Sequence, residues 1–354
     1  MNKASSSAIG PRAFPIGPHS AMTVVQDGGG DLRVAVGATT VMRLRLEEPL
    51  DRLKLSDTPD DLHLAISAVA AAAEAVFGWR PTLDRLVLDL AAGESLAREL
   101  MNHGLVVMAG TELVLLPELL MQRPDNWLVN AGQPPMPQLH VMTDGKRHPR
   151  RPPKPAGKVY ARFIPWLAEV ISFRVADLDK DLHLLHRWMN DPRVDAFWNE
   201  AGDLEKHRRY LSGILSDPHM LPLIGCFDDE PFGYFELYWA KENRIAPFYD
   251  ADDYDRGWHV VVGEDAYRGR RYISAWLPSL MHYMFLDDCR TQQIVGEPAA
   301  AHSQQIRNLE VSGFAKIKNF DFPHKRATLV TLLRERFFGD RLWLPAATAP
   351  ATRS

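Results

Sequence analysis

Hydrophobic and polar positions fall into two patterned stretches on either side of one that has almost nothing to bury. In the first, LRVAVGATTVMRLRLEE alternates with a period of two around Gly37 and predicts a hairpin. A helix is expected from about Asp60, with Thr58 or Asp60 as its cap, running through LHLAISAVAAAAEAVFGW. RLVLDL reads as a short strand, and GESLARELMNHG as an amphipathic helix closed by Gly104. LVVMAG and ELVLLPELL give two more strands with a Gly-Thr turn between them. The second stretch opens with ISFRVADLDKDLHLLHRWMNDPRV, a strand and then a helix from about Asp177 whose Leu178, Leu182, Leu185 and Met189 share one face. LEKHRRYLSGIL is a second helix. LPLIGCFDDEPFGYFELYW is a hairpin turning at Asp228-Asp229-Glu230-Pro231. WHVVVGE is a strand, and SAWLPSLMHYMFLDD a helix with Pro278 in its first turn or at a kink. TQQIVGEP is a strand, SQQIRNLEVSGF a helix closed by Gly313, and ATLVTLLRERF a strand running into a helix. No internal repeat has a fixed period.

Between the two lies TDGKRHPRRPPKPAGK, residues 143–158, which reads as an exposed Pro-rich basic linker. The expected organisation is a flexible tail over 1–25, a smaller α+β domain over 26–142, the linker, a larger α/β (α+β) domain over 159–345, and a second tail over 346–354. A length of 354 residues agrees with two domains. Hydrophobic content of 46% and charged content of 24% are those of a soluble globular protein. A net charge of -4 argues against a nucleic-acid partner. The apolar helix contains Glu74 and is rich in alanine, so it reads as a packed helix and not as a membrane span. The first twenty residues lack the apolar core of a signal peptide. The two cysteines, Cys226 and Cys289, form no metal or disulfide pattern, which fits a reducing cytoplasmic setting. The first domain carries no catalytic constellation and reads as a supporting or dimerising unit, so a homodimer is compatible with it.

The chemistry-bearing segment is DYDRGWHVVVGEDAYRGRRY. On a strand that alternates, Trp258, Val260 and Val262 face one way, and His259 and Val261 the other. A histidine inside a valine run is either a satisfied core residue or an acid–base group. Glu297 ends the next strand, just before Pro298, and is either a helix-entry residue or an acid partner. His183 and His186 stand three apart on a helix, but no third ligand accompanies them, so no metal site is expected. Cys226 reads as a small core residue, and neither a Walker motif nor GxSxG occurs.

The element order of the second domain resembles the GCN5-related N-acyltransferase (GNAT) fold, a mixed central sheet in which two strands splay. RWMNDPRVDAFWNEAG, IGCFDDEPFGYFELYWAKE, DYDRGWHVVVGE, HYMFLDDCRT and IVGEP resemble the acyltransferases of hydroxamate-siderophore biosynthesis, from about Tyr160 to Pro345. The resemblance implies transfer of an acyl group from acetyl-CoA or another acyl-CoA, without a metal, to the N-hydroxylated side chain of a lysine or ornithine. It implies that the acyl thioester lies in the gap between the splayed strands, with His259 and Glu297 as catalytic residues. Coenzyme A would lie against Val261 and Val262, the turn Arg268, Gly269, Arg270, Arg271 and Tyr272, and His302 and Gln305. Its pyrophosphate would sit on backbone N–H groups at a helix N-terminus. Arg271 and Ile273 stand where the family commonly has glycine, and His302 where it commonly has asparagine. Asn190, Trp198, Glu236, Trp239 and Asp253 are the expected contacts to the amino acid, apolar walls for its methylenes and acids for its ammonium. Two other readings stay open: an acetyltransferase of the same fold acting on an antibiotic or protein amine, and a non-catalytic acyl-CoA-binding module. Acyl chain length and the choice of lysine or ornithine are not legible.

Overall fold

The computed structural model describes residues 22–345 apart from 91–93, 130, 132 and 133. The described residues form two compact units. One is built from the chain up to Gly132 together with Ala161–Val170, the other from Gln133–Tyr160 and the chain from Ile171 onward. The tails expected over 1–21 and 346–354 lie outside the described residues. Positions 22–25, assigned to the first tail, instead belong to a strand, because Met22 and Val24 alternate inward.

The first unit contains strands β1 (Met22–Gln26), β2 (Asp31–Val36), β3 (Thr39–Glu47), β4 (Arg52–Asp57), β5 (Leu86–Asp89), β6 (Val106–Ala109) and β7 (Glu112–Leu115) in the order β1-β2-β3-β4-β5-β7-β6. Its helices are α1 (Leu62–Trp79), α2 (Glu94–Asn102), α3 (Pro117–Met121) and α4 (Pro124–Trp127). The β2–β3 turn is at Gly37, as the alternation predicts. The cap of α1 is Asp61, whose carboxylate accepts from the N–H groups of His63 and Leu64, one residue past the expected position. By length and composition α1 could cross a membrane. Here its alanines and Val69, Val76 and Phe77 are buried.

In the second unit β8 (His140–Thr143) and β9 (Lys146–Pro149) make a separate hairpin. There follow β10 (Lys158–Ile164) and β11 (Glu169–Val175), of which Ala161–Ile164 and Glu169–Val170 count with the first unit, then α5 (Leu178–Met189), α6 (Pro192–Trp198), α7 (Leu204–Ser216), β12 (Met220–Phe227), β13 (Glu230–Trp239), β14 (Arg256–Val262), α8 (Arg270–Asp287), β15 (Gln293–Gly296), α9 (Ser303–Val311), β16 (Ala315–Asp321), β17 (Arg326–Leu333) and α10 (Arg334–Gly339). The eight-stranded sheet has the order β10-β11-β12-β13-β14-β15-β17-β16. Asp228 and Asp229 both have positive φ, 45° and 68°, so β12 and β13 are joined by a two-residue turn with the twist that tight hairpins need. Pro278 lies in the interior of α8, among buried residues, and not in its first turn.

The expected exposed linker is not one. Residues 146–149 form β9. Arg151 is buried and makes a bidentate pair with the buried Glu242, at 2.7 and 2.5 Å. Lys154 donates to the carbonyls of Ile214 and Leu215, both at 2.7 Å. The basic composition that reads as solvated supplies partners for acids and carbonyls far along the chain.

What positions the site is the relation of β14 to its two neighbours. It pairs with antiparallel β13 along its whole length, Gly233↔Val262 to Trp239↔Arg256. It pairs with parallel β15 only at Arg256↔Ile294 and Gly257↔Val295, and then the two strands part. Residues paired across a ladder share a face, so Tyr234, Glu236 and Tyr238 stand with Val261, His259 and Gly257. Tyr238 lies flat over Gly257: a Cβ at 257 would be 2.2 Å from the ring. On the other face Phe235 meets Trp276 of α8, and Trp258 meets Phe314, with ring centroids 5.7 and 5.1 Å apart. Gly257→Ala is therefore expected to displace Tyr238 and to destabilise the fold by about 1–3 kcal/mol, as overpacking does. Denaturant unfolding of the variant measures it.

Candidate functional site

His259 projects from β14 beside the place where the strands part. Its Nδ1 lies 3.2 Å from Glu236 Oε2, and its Nε2 lies 3.0 Å from Glu297 Oε1. Ladder register supplies Glu236, the direct cross-strand partner of His259. The end of β15 supplies Glu297, one residue past Gly296. Both carboxylates are buried, while a quarter of the His259 side chain is exposed.

The two acids are hydrogen-bonded from all sides, as buried carboxylates must be. Tyr238 donates to Glu297 Oε2 at 2.6 Å, and Arg244 Nη2 to Glu297 Oε1 at 3.1 Å. Tyr234 donates to Glu236 Oε1 at 3.0 Å, and Tyr210 of α7 donates to the same oxygen. Ionised carboxylates only accept, so the two acids favour the form of His259 in which both ring nitrogens donate, the imidazolium; Arg244 Nη2 also lies 3.4 Å from Nε2. Burial on its own would lower the imidazole. The charge of Glu297 and hydrogen bonds to both acids outweigh it and raise His259 to about 9. Burial would raise Glu297, but the His259 charge and hydrogen bond hold its carboxyl well below the usual range, helped by Lys325 and Tyr238. Burial and then Glu236 push Tyr210 well up, and burial and then Glu297 do the same for Tyr238, so both hydroxyls stay protonated donors.

On the cleft side, a cavity of about 960 Å³ opens from His259, Glu236 and Arg244. Its further walls are Glu242 and Asn243, residues 215–220, and the hairpin-to-coil segment with Lys146, His148, Arg150, Arg151 and Lys154.

The other expected residues sort plainly. Trp198 stands edge-on to His259, ring centroids 6.2 Å apart, and its Nε1 donates to the Val260 carbonyl at 3.2 Å. Val261 is buried against Trp188 and Tyr234. The Val262 carbonyl accepts from Arg268 at 2.6 Å. Gly269, at φ +93°, opens α8 without a side-chain cap, and Arg268, Arg270 and Arg271 are exposed around this start. The Arg271 guanidinium lies over the Tyr272 ring, 5.6 Å from its centroid, and that ring packs edge-on with Phe227 and Tyr267. His302 precedes α9 and does not cap it. Its Nδ1 is 2.9 Å from Gln305 Oε1, and its ring stacks on exposed Phe197.

Three expected substrate contacts are not at the cleft, and each has a structural occupation. Asn190 ties the α5 end to Gly202, accepting at 3.0 Å and donating at 3.0 Å. Trp239 is buried between the guanidiniums of Arg151 and Arg256, each 4.4 Å from its ring. Asp253 holds His140 at 2.7 Å and Gln138 at 2.8 Å. Glu236, expected to meet an ammonium, instead holds the imidazolium. Sequence reasoning passed over Arg244 and Tyr210, and read the 146–154 wall as linker. Among the described residues no group of three or more His, Cys, Asp and Glu is placed to hold a metal ion.

The family model for the acetyltransferase (GNAT) domain matches residues 177–322. N(6)-hydroxylysine O-acetyltransferase of Escherichia coli is 46% identical over 192 residues, 54% of this chain and 61% of that protein. The N(5)-hydroxyornithine:cis-anhydromevalonyl coenzyme A-N(5)-transacylase of Beauveria bassiana is 46% identical over 215 residues, 60% of this chain and 47% of that protein. The chain thus spans about half to three fifths of the length of these curated relatives. Among solved structures, an uncharacterized protein from Bacillus halodurans aligns at a TM-score of 0.50 with 28% identity, covering 54% of this chain and 96% of that one.

The raised histidine gives a prediction with a definite sign. Its folded-state pKa, about 9, lies above the 6.5 of an unperturbed histidine. Its contribution to stability is complete below about pH 6.5 and is lost as pH rises through about 9. Resonances of the His259 ring should titrate near pH 9 by NMR, and Glu297→Gln should move that midpoint down toward the ordinary value. A His259 midpoint near 6.5 in the unsubstituted protein would show that the carboxylates do not hold the proton.

Proposed function

We propose that the protein is an acyl-CoA-dependent N-acyltransferase, a reading that starts from the match of residues 177–322 to the acetyltransferase (GNAT) domain model. It acylates the N-hydroxylated side chain of lysine or ornithine to a hydroxamate, in siderophore biosynthesis, by direct transfer. The observation that carries the reading is an imidazole clasped by two carboxylates where β14 and β15 part, at the head of a cleft large enough for an amino acid. The relatives named for hydroxylysine and hydroxyornithine support the substrate class.

The residues present fit coenzyme A. β14 carries Val261 and Val262 past the point where its pairing with β15 stops. The uncapped start of α8 offers backbone N–H groups, the positive end of the helix dipole, and exposed Arg270 and Arg271 for phosphates. Because Arg271 lies over Tyr272, the residue that replaces a family glycine does not cover that helix start. Arg268, turned back on the Val262 carbonyl and Asp265, steadies the loop. When bound, the thioester supplies the electrophilic acyl carbon.

Proton handling belongs to His259. A hydroxylated amine is largely neutral at pH 7, so its nitrogen can attack without prior deprotonation. As the C–N bond forms it loses one proton, and the acyl C–S bond breaks with coenzyme A leaving as its thiolate, which takes up a proton to become the thiol. His259, in its neutral form, accepts the proton lost by the nitrogen, one ring nitrogen staying on a carboxylate that orients the ring. With a free-enzyme pKa of about 9, only a minority of His259 is neutral at pH 7. Two acids, Glu236 and Glu297, raise it. Tyr238 and Arg244 keep Glu297 ionised and in place.

On this reading kcat/KM rises with pH up to about 9. His259→Ala should lower kcat/KM by about 10²–10⁴-fold, the usual worth of a general base. The test is turnover of acetyl-CoA and longer acyl-CoAs with hydroxylysine, hydroxyornithine and simple amines. Product that gives a ferric hydroxamate colour establishes N-acylation. An O-acyl product, or turnover of plain amines alone, would overturn it.

A further inference from the structure

Building on that reading, we propose that the α-carboxylate of the hydroxylated diamino acid is bound by the guanidinium of Arg150, on a cationic wall of the cleft formed by residues 146–154. Five basic residues line this wall: Lys146, His148, Arg150, Arg151 and Lys154. Their partners separate them. Arg151 is neutralised by Glu242. Lys146 donates to the Glu242 carbonyl at 2.5 Å, and Lys154 to the carbonyls that end α7, so neither has a carboxylate of its own in direct contact. Arg150 is exposed, and among the described residues its guanidinium has neither an ion-pair nor a hydrogen-bond partner. Two further acids line the cavity near this wall, Asp144 and Asp217, and Asp217 is engaged by the backbone N–H of His219 at 3.0 Å and by its ring at 2.6 Å. The wall therefore carries a surplus of positive charge and one open guanidinium fork. A carboxylate is the group that fits such a fork with two parallel hydrogen bonds.

The wall belongs to the same cleft as the imidazolium. From His259 the lining runs through Arg244, which holds Glu297, to Asn243, 3.4 Å from His219 Nε2, and to Glu242 on Arg151. A substrate whose nitrogen lies at His259 thus has its other end toward residues 146–154. His148 adds a second polar feature. Its Nδ1 lies 2.8 Å from the Pro149 carbonyl, which can only accept, and its Nε2 has no hydrogen-bond partner among the described residues. A protein amine or an aminoglycoside offers no carboxylate to this wall, so the wall also separates substrate classes.

The test compares Arg150→Ala and Arg150→Lys with the unsubstituted enzyme on two nucleophiles, hydroxylysine or hydroxyornithine and the corresponding decarboxylated N-hydroxydiamine. Arg150→Ala should raise KM for the amino acid by about tenfold or more, as loss of a charged hydrogen-bonded pair does. KM for acyl-CoA should stay unchanged, and lysine should restore part of the loss. Decarboxylation should cost the unsubstituted enzyme a similar factor, and Arg150→Ala should add nothing further on the decarboxylated compound. An amino-acid KM within about twofold of the original, or an equal loss on both nucleophiles, would overturn the assignment while leaving the acyltransferase reading intact. Failure of the unsubstituted enzyme to acylate either compound would overturn both.

Discussion

The second unit is organised around an imidazolium held between two buried carboxylates. Either acid alone in that environment would be a heavy penalty, and removing one partner of a buried pair costs several kcal/mol. The pairing therefore constrains the sheet. Glu236 reaches His259 only because β13 and β14 are in one register, and a slip of one residue would turn every side chain to the opposite face. Glu297 reaches it only because β15 runs parallel to β14 for two residues and then ends. The opening that admits a ligand and the charge network that would serve it are two aspects of one strand arrangement. Gly257 is their meeting point, since only a residue without a Cβ lets Tyr238 lie across the strand and reach Glu297.

Much of this was legible in the sequence, and the boundary of what was legible is physical. The alternation of Trp258, His259, Val260 and Val261 placed His259 correctly, because strand periodicity is local information. The Asp228-Asp229 turn and the helix ends at Gly104 and Gly313 were legible for the same reason. Register between strands is not local. Nothing in FGYFELYW says that Glu236, and not Glu242, will stand opposite the histidine. Trp239 and Asp253 look like cleft residues from their neighbours, yet they are consumed by arginine stacking and by His140. Arg244 stands in an irregular loop, where no periodicity marks it out. The 143–158 stretch misled for a different reason: proline and charge signal exposure only when no distant acid awaits them.

Two clusters of positive charge in this unit stand apart. Arg268, Arg270 and Arg271 surround the start of α8, and Lys146, Arg150 and Lys154 line the cleft. A diphosphate and a carboxylate ask for different hosts. The first is served by backbone N–H groups and a helix dipole, the second by a planar side-chain fork. Net charge over the whole chain, at -4, conceals both.

The Arg151–Glu242 pair bears on where this protein can be cut. Glu242 has a buried carboxylate whose charge is matched by a residue lying ahead of the strand-and-helix core. Expressing that core from residue 159 onward, the break that proline content suggests, would strand an anion in the interior and strip one bank from the cleft. The basic segment thus serves the second unit as a built-in brace.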